Sequence, residues 1–164
     1  MTQDEFARLL ARFAEKPVTS TVGRHVYLWH GAEDRLRAII PGGVLDSLDL
    51  HSLAATATRA PAEQPEASRI IQRLIETWLG GNLGQQRQHI ILITGCDLLA
   101  RYRVPLTPLF QWASDTVMFV LVVENLQSRA LARRMPDYVS FQPQAALAYL
   151  KEIVSENAII GAGV

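Results

Sequence analysis

The sequence predicts an α/β fold in which a mostly parallel sheet is covered by helices on both faces, giving three layers. Three observations carry that prediction. Residues 90–93 and 117–123 are continuous apolar runs of strand length, the pattern of strands buried on both faces of a parallel sheet. Amphipathic segments with apolar residues at helical spacing alternate with these runs. Residues 26–29 read as an apolar strand that passes through His30-Gly31 into a helical pattern over residues 32–40. The 164 residues suit one domain with one core, made of an N-terminal helix over residues 1–16 and an α/β core over residues 24–158.

The elements follow in order. Thr2-Gln3-Asp4-Glu5 is a capping-box pattern, and Phe6, Leu9, Leu10 and Phe13 follow at helical spacing until Pro17 ends the helix. Residues 17–23 are a linker, and 25–30 the first strand. Residues 33–40 form a short helix with Leu36, Ile39 and Ile40 inward, stopped by Pro41-Gly42-Gly43. Residues 44–50 fit neither period cleanly, with a second strand near 47–50; residues 51–58 suit a short helix, and 59–66, with two prolines, a loop. Residues 68–79 place Ile70, Ile71, Leu74, Ile75, Trp78 and Leu79 on one helical face, with Gly80-Gly81 as the stop. Residues 89–94 are a strand, 106–112 a helix with Pro105 near its start, and 116–124 a second fully buried strand. A short basic helix over 128–134 and a short strand over 138–141 precede a closing helix over 144–155, with Leu147, Leu150, Ile153 and Val154 inward. The glycine-containing tail, residues 159–164, has no assigned structure.

Lys+Arg and Asp+Glu both number 16, so the chain as a whole does not attract nucleic acid or an anionic membrane. The single cysteine, Cys96, has no internal disulfide partner and fits a reducing cytoplasm. The acidic, polar start is unlike a signal peptide, and no apolar run approaches the roughly 20 residues that span a bilayer.

A strand, glycine turn and helix is where a P-loop protein places G-x-x-x-x-G-K-[ST]. Here the segment reads His30-Gly31-Ala32-Glu33-Asp34-Arg35-Leu36, with one glycine, no lysine, no Ser or Thr, and two acids at the helix start. The acids suit the positive end of the helix dipole and repel a phosphate from the same place. The expectation is a P-loop-like scaffold with a degenerate nucleotide site. Gly31, Arg35 and Arg37 are the candidate nucleotide site, with backbone N–H groups and Arg35 as the phosphate contacts, and a tight strand-to-helix turn explains the same residues.

The stretch from His89 through Thr94-Gly95-Cys96-Asp97 to Leu99 resembles the Walker B strand of additional-strand (AAA-like) P-loop proteins, in which four apolar residues precede an acid. Residues 105–114 and the strand 116–124, ending at Asn125, follow in an order similar to the BrxF family of small P-loop proteins from BREX-type phage-defence systems. The likeness covers residues 44–125, and more loosely reaches back to His25. It implies a P-loop NTPase (AAA-like) fold. It also implies a role in a bacterial defence complex with protein partners, as a homo-oligomer. The family's Walker A lysine has no counterpart here, and its Walker B acid falls on Thr94, with Asp97 displaced downstream. A paralogue with a degenerate site fits better than an active member, so no cofactor is expected. ATP with Mg²⁺ enters only if the chain is a divergent NTPase.

The remaining candidates each have a bland counterpart. Asp97 follows a buried strand, at the end of the sheet where ligands bind, and can hold a metal or orient a water; a helix cap or turn aspartate explains it too. The resemblance places Asn125 at the sensor position that helps orient an attacking water, and a strand-end turn is the alternative. Thr94 is at best a weak Mg²⁺ ligand, and Cys96 reads as a small buried hydrophobe. Arg129, Arg133 and Arg134 form the basic cluster. They can face a neighbouring subunit's nucleotide, DNA phosphate or an acidic partner, or be a solvated face. His25 and His89 flank the starts of two strands expected to be adjacent, at the sheet end opposite the site, and the four histidines lack metal-ligand spacing. Trp29, Trp78 and Trp112 each end an apolar face and suit core packing, whereas an exposed tryptophan would mark a partner surface. Three functions follow: a non-catalytic assembly module, a divergent NTPase using Asp97 and Asn125, or a DNA-binding accessory protein using the arginine cluster.

Overall fold

A strand buried on both faces belongs at the middle of a sheet, and β4 (Val117–Val122), buried at all six positions, is there. The computed structural model describes residues 1–57, 61, 63–84, 86–123 and 143–161. Within them the sheet runs β2 (Leu45–Asp49), β3 (His89–Thr94), β4, β1 (Val26–His30), β5 (Ile159–Gly161), with every neighbouring pair parallel. The α/β, three-layer parallel architecture read from the sequence is therefore the one observed. β4 is inserted between β1, which leads into the glycine turn, and β3, the Walker B-like strand. This order is compatible with a P-loop-like fold.

Register carries one row of side chains across all five strands: Leu48, Ile93, Leu121, Leu28 and Ile159. The first four are buried, and burial of each contributes roughly 1.5–3 kcal/mol. Successive strand residues point to opposite faces, so the continuous burial of β1, β3 and β4 requires cover on both sides. On one face of β1, His25, Tyr27 and Trp29 lie under α1 (Gln3–Glu15). The Phe6 ring sits 5.2 Å from Tyr27 and 6.1 Å from Trp29, and Phe13 lies 5.1 Å from His25. The capping box forms as predicted: Thr2 Oγ1 accepts from the Glu5 N–H at 3.1 Å, and the Glu5 carboxylate accepts from the Thr2 N–H at 2.8 Å. At the far end of α1, the Gln88 amide NH₂ donates to the carbonyls of Phe13, Lys16 and Asp115, tying the helix exit to the starts of β3 and β4.

Several boundaries differ from the sequence reading. α2 (Glu33–Ile39) and α3 (Leu50–Ala54) are shorter than the pattern suggests, and β2 starts at Leu45. α4 (Gln64–Asn82) is longer at both ends. Pro65 falls in its first turn, where the missing N–H costs little. Gly80-Gly81 does not stop the helix, because Leu83 N–H still reaches the Leu79 carbonyl at 3.0 Å and Asn82 Nδ2 reaches that of Trp78 at 2.8 Å. α5 (Asp97–Arg101) is too short to show a period in the sequence. α6 (Thr107–Trp112) has Pro108, not Pro105, in its first turn, and α7 (Pro143–Ile153) closes the set. The tail forms edge strand β5, whose three residues carry no readable alternation. The expected helix over 128–134 and strand over 138–141 lie outside the described residues. His25 and His89 do not stand at neighbouring strands. β4 separates β1 from β3 and puts them two strand spacings, about 10 Å, apart. No helix among the described residues is long and apolar enough to cross a membrane.

His25 is buried and fully bonded: Nε2 meets the Val18 carbonyl at 2.6 Å and Nδ1 meets the Tyr27 hydroxyl at 2.8 Å. A carbonyl only accepts, so Nε2 carries the proton and Nδ1 accepts from Tyr27. Burial lowers the His25 pKa from its usual 6.5, opposed by the Val18 bond and the Asp115 charge. The folded state therefore binds this proton less readily than the unfolded chain. His25 contributes stability above about pH 6.5 that is lost as pH falls through its folded pKa. Urea titrations across this range should show stability falling with pH, with a shallower slope in His25→Gln.

Candidate functional site

The carboxyl ends of parallel strands gather the loops that bind ligands in α/β proteins. At β1 that loop is minimal: His30 ends the strand, Glu33 begins α2, and only Gly31 and Ala32 lie between. A P-loop has four residues between its two glycines, enough to fold backbone N–H groups around a phosphate. Two residues cannot encircle one. The turn is instead filled from within the protein. The buried Trp29 indole N–H donates to the Ala32 carbonyl at 3.1 Å, and a Cβ on Gly31 would lie 3.3 Å from the same Nε1. Glu33 pairs with Arg37 at 2.8 Å, one turn along α2, and Arg37 also reaches Ser47 Oγ at 3.3 Å. Arg35 is exposed on α2.

The exits of β2 and β3 are more elaborate. Asp49 ends β2 and caps α3, its carboxylate accepting from the His51 N–H and the Ser52 hydroxyl, each at 3.0 Å. The His51 ring then turns toward β3, and Nε2 lies 2.8 and 2.9 Å from the two carboxylate oxygens of Asp97. The Asp97 side chain is 5% exposed and that of His51 15%. Asp97 is the first residue of α5, and Cys96 takes the cap position that the sequence reading gave as one role for Asp97. Gly95 makes the approach possible. Its φ is +74°, and a Cβ there would stand 2.8 Å from His51 Cδ2 and 3.2 Å from His51 N.

Of the residues singled out from sequence, Gly31 and Arg35 belong to the β1–α2 segment. Thr94, which ends β3 opposite Asp49, and Asp97 belong to the β3 exit. β4 lies between the two strands concerned. Asn125, Arg129, Arg133 and Arg134 lie outside the described residues. Cys96 is buried, its Sγ 3.4 Å from the Ile93 carbonyl, and burial together with the Asp97 charge pushes its thiol pKa up to about 12. It is a packing residue, as expected. Trp29 is in the core and Trp78 half-buried, but Trp112 is 38% exposed, contrary to its expected core role. α6 ends there, and its buried face is carried by Pro108 and Leu109.

His51 is the residue sequence reasoning missed. It lies 46 positions from Asp97, so no local spacing announces the pair. The amino end of the same two strands carries a counterpart: His89 Nδ1 lies 2.9 Å from Asp46, whose carboxylate also accepts from Arg87 at 3.1 Å. Among the described residues no group of three His, Cys, Asp or Glu side chains is placed to hold a metal.

No family model and no curated protein matches the chain. A Drosophila ORC structure, bound to AT-rich DNA and Cdc6, is similar at 10% identity and a TM-score of 0.29. The match covers 84% of this chain and 56% of that one. At that TM-score the likeness does not bear on function.

The geometry at Gly95 yields a paired test. Gly43 also has positive φ, +86°, but open space around its missing Cβ. Gly43→Ala should cost only the left-handed backbone, about 1–2 kcal/mol. Gly95→Ala adds the collision with His51 and should cost at least about 1 kcal/mol more, read from urea unfolding midpoints.

Proposed function

We propose that the protein is a P-loop-like module that does not run on nucleotide hydrolysis and works through contacts with other macromolecules. We place it as an assembly or regulatory component of a bacterial, BREX-like phage-defence system. The observation that carries the first part is the two-residue link between β1 and α2. It leaves no loop to wrap a phosphate, runs directly into Glu33 and Asp34 at the start of α2, and is packed by Trp29. The lysine that neutralises the phosphates and the hydroxyl that holds Mg²⁺ in P-loop enzymes have no counterpart in this segment. The acid nearest the Walker B position, Asp97, is engaged by His51. The defence role rests on the sequence likeness of residues 44–125 to the BrxF family, and the additional-strand order of the sheet is compatible with it.

The test is calorimetric titration with ATP and GTP, with and without Mg²⁺, alongside light scattering. The reading predicts no binding in the micromolar range and a defined assembly state. Micromolar, Mg²⁺-dependent binding would overturn it in favour of a divergent NTPase using Asp97 and Asn125. DNA binding with a steep salt dependence would favour the accessory role of Arg129, Arg133 and Arg134.

A further inference from the structure

We draw no further inference here: the strongest candidate, the apolar surface patch where α6 ends, with Phe110 half-buried and Trp112 exposed, carries none because nothing in the structure shows what covers it.

Discussion

The structure depends on the pairing of β4 with β3 on one side and β1 on the other. A strand of six buried apolar residues has no stable place at an edge, where its backbone and one flank would meet solvent. Placed centrally, it brings the exits of β1 and β3 to the same end of the sheet but holds them two strands apart. In a P-loop enzyme the phosphate loop and the acid across that gap act on one nucleotide. Here each exit is satisfied by the protein's own groups: the β1 turn by Trp29, and the β3 acid by His51.

Edge strand β2 shows how the sheet is held where burial is poor. Of its five residues only Leu48 is buried. An imidazole–carboxylate bond joins its amino end to β3 through Asp46 and His89, and another joins its exit to β3 through His51 and Asp97. A partly exposed hydrogen bond to a charged group contributes about 1.5–3 kcal/mol, comparable to burying one apolar side chain. Polar bonds therefore substitute for the missing apolar contacts. The same charges discourage another strand from pairing with this edge.

How much of this was legible in the sequence depends on the range over which each signal acts. The capping box at Thr2 and Glu5, the buried face of α1, and the unbroken apolar runs of β3 and β4 are local patterns, and they appeared where expected. The turn from β1 into α2 was also local, since strand, glycine and acidic helix start are visible in seven residues. α5 and β5 were not legible, because five and three residues are too few to display a period. Gly80-Gly81 misled because glycine at a helix end is tolerated when the carbonyls behind it still find donors. His51 was invisible for a different reason. Its meaning comes from Asp97 and from the left-handed Gly95 between them, a contact made only when two parallel strands align. Asn125 and the arginines at 129, 133 and 134 belong to a stretch outside the described residues, so their roles still rest on the sequence alone.

The His51–Asp97 bond closes the carboxyl end of the sheet from within. A double-mutant cycle with His51→Ala, Asp97→Ala and the double variant, read by urea unfolding, measures that bond most directly. His51→Ala, which strands the buried Asp97 carboxylate, should cost about 3 kcal/mol, and Asp97→Ala, which leaves the partly exposed His51, should cost less. The double variant should cost well under their sum, with a coupling above about 1 kcal/mol. Additive losses, with no coupling, would show that the two side chains lie together without holding the structure, and would contradict that closure.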